Sequence, residues 1–108
     1  MANAQGRVFL NPEQNKQCRL TLVGDKDAFK NKTDVSKAVD NRGGEWEQVG
    51  NTKTKGNDNQ VLVVKLRCKT VPTNVKNLVP DAGTLTITLS TAVNVDPVPV
   101  TYVNDTEP

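Results

Sequence analysis

Residues 61–70 read VLVVKLRCKT, and their polarity alternates with the two-residue period of a β-strand. The side chains of one alternate set are apolar and suit a core: Leu62, Val64, Leu66 and Cys68. The other set starts with two valines and continues with three cations, Lys65, Arg67 and Lys69. The stretch therefore predicts a strand that is buried on one side and basic on the other.

The cations of this strand form a ladder along one face. Side chains two residues apart on a strand are spaced by roughly 6–7 Å, a step close to the phosphate spacing of an extended nucleic acid backbone. We therefore expect this face to contact RNA or DNA. The residues expected at the contact are Lys65, Arg67 and Lys69, with Lys53 and Lys55 from the preceding segment. The alternative is a solvated surface, because runs of charge commonly serve only to keep a face in water.

Strand signals recur before this stretch. Residues 7–10 form a short run that is apolar after Arg7, and residues 17–23 alternate. The polar connection between them contains a proline, so the two segments predict a hairpin. Residues 45–52 predict a further strand, with Trp46 on the side opposite its glutamates.

Strand signals also follow it. Residues 84–90 read TLTITLS, with leucine and isoleucine on the inner side and threonine on the outer side. Residues 25–43 lose the alternation, and two alternatives stay open there, a long polar loop or a short helix. Together the patterns predict an all-β or nearly all-β fold, an antiparallel sheet or a sandwich of about six strands.

The length of 108 residues fits one domain, which we place at residues 1–91. Residues 92–108 predict an edge strand or an extended arm, because Pro97 and Pro99 cannot donate to a central ladder. An apolar arm suits docking on a neighbouring subunit by sheet-edge addition. The residues expected at that interface are Val98, Val100 and Tyr102. The alternative is an edge strand that folds back on its own sheet.

Composition favours self-association. The chain is 35% hydrophobic and 4% aromatic, so its core is thin and we expect a partner, most simply another copy, to add stability. Charge is also polarised along the chain. Residues 53–76 carry six basic and one acidic side chain, and residues 77–108 carry no basic and four acidic ones. This polarity suits contact between subunits or a basic face for a polyanion.

Catalytic and metal chemistry find little support in the residue types. The chain has no histidine and two cysteines, too few ligands for a zinc site, and neither Ser36 nor Ser90 lies in a nucleophile elbow. We therefore expect no enzymatic activity, no cofactor and no metal. Cys18 and Cys68 fall on the apolar sides of their strands and are expected to be buried thiols. Whether they approach closely enough for a disulfide stays open.

The first residues contain no apolar run of the signal-peptide type, and no segment has the length of a membrane span. We therefore expect a protein made in the cytosol that does not enter a membrane.

A strand meander with one strand that is apolar on one side and basic on the other resembles, in outline, the sheet of small phage coat subunits. Those subunits line a shell and contact packaged nucleic acid, and they end in helices that interlock dimers. After Ser90 this chain departs from them, with valine, proline and acidic residues instead.

The function expected from the sequence is a self-assembling structural subunit, coat-like and located in a virion, whose basic face contacts nucleic acid. The alternative is a small cytosolic binding module, a nucleic-acid-binding or inhibitor protein, that acts as a monomer or dimer.

Overall fold

β-strands are the regular secondary structure of the residues that the computed structural model describes, which are 2–73, 75 and 81–104. Their bounds are β1 Asn3–Ala4, β2 Val8–Leu10, β3 Gln17–Val23, β4 Val35–Asp40, β5 Glu45–Gln48, β6 Lys53–Lys55, β7 Val61–Thr70, β8 Asp81–Leu89 and β9 Val98–Tyr102. Eight of them form a nearly closed sheet in the order β1-β3-β7-β5-β4-β8-β9-β2, and β6 pairs with β7 beside that path.

The predicted all-β, mostly antiparallel fold is confirmed. The predicted number of about six strands is too low for the described residues, which form nine, and these strands belong to one sheet rather than to a sandwich. Within the same residues, no helix has the length and apolar character needed to cross a membrane.

β3 and β7 are neighbours in this sheet, next to its β1 edge, and have the bounds that their alternation predicts. They pair antiparallel from Gln17 opposite Arg67 to Val23 opposite Val61. The inner side chains of β7 are 0% exposed, as expected: Leu62, Val64, Leu66 and Cys68. Each buried leucine or valine of this kind stabilises the fold by roughly 1.5–3 kcal/mol.

Residues 35–40 form a strand, so the expectation of a loop or a short helix across 25–43 is wrong for this part. β4 pairs with β8 on one side and β5 on the other. Only Ala38 of its six residues is buried, which explains why the sequence shows no clear alternation there: its neighbours hold the strand in place. The loop before it contributes Phe29 to the core, where the ring is 1% exposed.

The C-terminal segment lies inside the sheet and not at an edge. β9 pairs with β8 on one side and with β2 on the other, and Pro99 is tolerated because the pairing with β2 begins one residue later, at Val100. The residues predicted at a subunit interface are instead part of their own chain's core, since Val98, Val100 and Tyr102 are 0%, 4% and 0% exposed. Residues 105–108 of the predicted arm lie outside the described residues.

The sheet closes through strands that are distant in the chain. β2 runs parallel to β9 and also contacts β3. The predicted hairpin of residues 7–10 with 17–23 is therefore wrong, since β3 pairs with β1 and β7. Asn11 fastens the closure, because its side-chain amide donates a hydrogen bond to the carbonyl oxygen of Asn104.

The two cysteines are free thiols in the core. Cys18 lies opposite Leu66 on β7. Cys68 is two residues beyond Leu66 on the same side of the sheet, so it is a diagonal neighbour of Cys18. Diagonal neighbours of this kind are roughly 7–8 Å apart, too far for a disulfide. Burial raises the pKa of Cys18 to about 12 and that of Cys68 to about 11, so both thiols are protonated and unreactive at neutral pH.

Candidate nucleic-acid interface

β5 and β6 lie end to end along one edge of β7, and we call them together the β5–β6 arm. The pairing of this arm with β7 is interrupted between the two strands. β5 places Gln48 opposite Leu66, and β6 places Lys53 opposite Val63. Three residues along β7 therefore correspond to five residues along the arm. Val49 still donates its backbone N–H to the Lys65 carbonyl oxygen at 2.8 Å, and residues 50–52 bulge out of the ladder. The bulge forms one wall of a groove on the outer face of the sheet.

This groove lies over β3, β7 and β6, and we call it the cationic groove. Its volume is about 470 Å³. Four of the described residues that line it are cationic and none of them is a carboxylate. The cations come from three neighbouring strands: Arg19 from β3, Lys65 from β7, and Lys53 and Lys55 from β6. The groove is therefore a local concentration of positive charge on a chain whose net charge is only +2.

Arg19 and Lys65 are the closest cations of this groove by register. They stand directly opposite each other on adjacent antiparallel strands, where Cβ atoms are about 4.5–5.5 Å apart. Both side chains are exposed. Like charges at such positions destabilise a sheet. The pair therefore lowers the stability of the free protein, and a bound anion would relieve the repulsion.

Gln48 holds the bulged wall of the groove. Its side-chain carbonyl accepts a hydrogen bond from the backbone N–H of Val35 at 2.7 Å. Its amide nitrogen donates to the Gly50 carbonyl at 2.8 Å and to Asp34 Oδ1 at 3.0 Å. Gly50 has a φ of 68°, a left-handed conformation that residues other than glycine, asparagine and aspartate adopt only with strain. Gln48 thus fixes the bulge from both sides.

Two threonines anchor the rest of the arm. The hydroxyl of Thr52 donates to the carbonyl oxygen of Thr33 at 2.6 Å, and that of Thr54 donates to the carbonyl oxygen of Phe29 at 3.1 Å. Thr33 and Phe29 are both 1% exposed. Because its anchors are buried, the arm carries Lys53 and Lys55 on a fixed support.

A second depression lies on the same face over β4, β5 and β7, and we call it the mixed-charge groove. Its volume is about 190 Å³. The charged residues that line it are Lys37, Glu45, Glu47 and Lys69. At its border, Arg67 Nε donates to Glu47 Oε1 at 2.6 Å. Cations and carboxylates are balanced here.

The structure therefore divides the predicted nucleic-acid ladder into two parts. Lys65, Lys53 and Lys55 line one groove, as a common contact surface requires. Arg67 is engaged by Glu47, and Lys69 lies among the carboxylates of the mixed-charge groove. β7 therefore does not present a continuous row of three free cations.

Arg19 is the site residue that the sequence reasoning missed. The alternation of β3 already indicates that Arg19 points outward, since its neighbours Cys18 and Leu20 are buried. What the sequence does not contain is the pairing of β3 with β7, which brings Arg19 opposite Lys65.

Among residues 2–73, 75 and 81–104, no group of three or more histidine, cysteine or acidic side chains could hold a metal ion. Comparisons with protein-family models, with curated proteins and with solved structures find no match to this chain. The geometry and charge of the cationic groove are therefore the features of this chain that indicate a function.

Proposed function

We propose that this protein binds nucleic acid through its phosphate backbone and that the cationic groove is the contact surface. The observation that carries the proposal is the like-charged pair of Arg19 and Lys65, directly opposite on adjacent strands, with two more lysines and no carboxylate in the same groove. Phosphates would neutralise this repulsion. Such contacts release counterions and give an affinity that falls steeply with salt.

The cationic groove is suited to contacts with phosphate charges more than to contacts that read the base sequence. Its cations are exposed lysines and an arginine on strands, and phosphate contacts fix position without reading bases. We therefore expect weak sequence preference. RNA and DNA of equal length should bind alike at low salt.

A self-assembling, coat-like subunit is the second candidate. The apolar C-terminal segment no longer argues for it, because Val98, Val100 and Tyr102 are buried in their own chain. A shell protein that contacts its packaged genome would still need a basic face like this one. Light scattering with absorbance at two wavelengths separates the candidates: a large uniform particle carrying nucleic acid supports the coat-like subunit, and a monomer or dimer supports the binding module.

The test of the binding proposal is a salt titration with a fluorescently labelled oligonucleotide of mixed sequence. Two double variants remove the same charge from the two grooves: Lys53→Gln with Lys65→Gln, and Lys37→Gln with Lys69→Gln. If four cations contact phosphates, the slope of log affinity against log salt is about −3, and the first variant reduces it by about half. The second variant should keep the wild-type slope. Equal losses in both variants, or no binding by the wild type at low salt, would contradict the proposal.

A further inference from the structure

The floor of the cationic groove is partly apolar. Val63 lies on β7 between Thr21 of β3 and Lys53 of β6, as the register of the three strands shows. Val63 is half-buried, and Val49, next to the bulge, lines the same groove in a half-buried position. Cations thus surround an accessible strip of valine side chains.

An accessible valine strip beneath cations matches a ligand with both charge and apolar surface. Covering apolar area gains about 25 cal/mol per Å², and phosphate alone cannot supply it. In a duplex the faces of the bases are stacked inside, whereas a single strand exposes those faces beside its phosphates. The floor therefore distinguishes two forms of nucleic acid that the cations alone would bind equally.

The size of the groove also favours a single strand over a duplex. Its volume of about 470 Å³ lies within the range of roughly 300–1,000 Å³ typical of small-molecule sites. Such a groove accommodates a base or a short run of nucleotides, and it is too small to enclose a duplex. The described residues that line it include no aromatic ring, so contacts with bases are aliphatic and tolerant of sequence.

We infer that the ligand of the cationic groove is single-stranded nucleic acid, with phosphates on the cations and base or sugar surface on Val63. This inference rests on the proposed function and names the form of nucleic acid that the groove takes. Polyphosphates and duplexes engage the cations only.

The experiment compares three probes at one salt concentration: a short oligodeoxythymidylate, a duplex of the same length, and inorganic polyphosphate. Val63→Thr keeps the branched shape and replaces a methyl group by a hydroxyl. It should weaken binding of the oligodeoxythymidylate by about three- to tenfold and leave polyphosphate binding unchanged. Val39→Thr is the matched control, because Val39 is a half-buried valine that lines the mixed-charge groove.

A second variant protects the test against a folding defect. Val63→Ile adds apolar surface to the floor and should tighten binding of the oligodeoxythymidylate about two- to threefold. If all three probes bind equally and neither Val63 variant changes their ranking, the single-strand inference is wrong while backbone binding stands. If none of the probes binds the wild type, the proposed function itself fails.

Discussion

The cationic groove and the mixed-charge groove lie on one face of the sheet and share the strand β7. In the first, Lys65 faces Arg19 across the β3 pairing. In the second, Arg67 faces Glu47 across the β5 pairing, with an ion pair at 2.6 Å. Two cations only two residues apart thus have opposite electrostatic surroundings. A row of cations on one strand does not define a basic surface until its neighbouring strands are known.

The two grooves also differ in their contribution to the stability of the sheet. An exposed ion pair such as Arg67 with Glu47 contributes about 0.2–1 kcal/mol, and the like-charged pair opposes folding by a similar amount. The sheet therefore gains stability at one groove and loses some at the other.

Alkaline pH acts on the core beneath both grooves. Cys18 lies under the cationic groove on β3, and Cys68 lies opposite Trp46 beneath the mixed-charge groove. The folded-state pKa of Cys18 is raised from 9.0 to about 12, so its contribution to stability is complete below pH 9 and is lost as the pH rises through 12. A shift of this size corresponds to about 4 kcal/mol.

Chemical denaturation at a series of pH values tests this expectation. Cys18→Ala and Cys68→Ala should each flatten the loss of stability between pH 9 and 11. Between pH 11 and 12 the effect of Cys18→Ala should be the larger, because the pKa of Cys68 rises only to about 11. A pH dependence identical to that of the wild type in both variants would show that the thiols are hydrated in the folded protein.

Gln48→Ala removes the side-chain support of the bulge beside the cationic groove. The backbone N–H of Val35 loses its acceptor, so we expect the free energy of unfolding to fall by about 1–2 kcal/mol. Nucleic-acid affinity should also fall, because Lys53 and Lys55 lose their fixed position. Gln14→Ala, at an exposed site, should change neither quantity.

A double-mutant cycle checks that Gln48 acts through the lysines. When Lys53→Gln and Lys55→Gln are already present, Gln48→Ala should cause no further loss of affinity. A further loss of the same size in that background would mean that the substitution damages the sheet generally.

Glu47→Gln should extend the cationic groove across β7. Arg67 loses its carboxylate partner, and it lies opposite Gln17, a residue that lines the cationic groove. We expect the magnitude of the salt slope to rise by about one and the affinity at low salt to rise a few-fold. Glu13→Gln changes the net charge equally at an exposed site that lines neither groove. An equal gain in that variant would mean that net charge alone controls binding.

Arg19→Gln should have the smallest effect on stability, and its sign is diagnostic. Removing the repulsion with Lys65 should raise the free energy of unfolding by a few tenths of a kcal/mol while it weakens binding. Arg67→Gln should lower the free energy of unfolding by a similar amount. Both differences should shrink in high salt, as expected for exposed charges. A destabilised Arg19→Gln variant would contradict the like-charge account.

Alternation predicts the strands whose own residues carry the burial pattern. β3 and β7 have the expected bounds, and the inner side chains of β8, Leu85, Ile87 and Leu89, are buried as expected. β4 and β6 could not be predicted in this way. Only Ala38 is buried in β4, and all three residues of β6 are exposed, so both strands depend on their partners rather than on their own patterns.

Pairing is the part of the candidate site that the sequence leaves undetermined. Lys53, Lys55 and Lys65 could be named from composition and alternation, but the position of Arg19 opposite Lys65 and of Glu47 opposite Arg67 depends on strand order. The proline rule failed at β9 for a related reason. Pro99 does not exclude a central position when the ladder on one side starts after it.

The closure of the sheet by β2 and β9 also sets the pace of folding. The bond from Asn11 to Asn104 joins groups separated by 93 residues, and ordering so long a loop costs entropy before its contacts form. Folds dominated by such distant pairings reach the native state in milliseconds to seconds. Until β2 arrives, one backbone edge of β9 is bare and able to pair with another copy. Refolding yield should therefore fall as protein concentration rises, even where the native protein is a monomer.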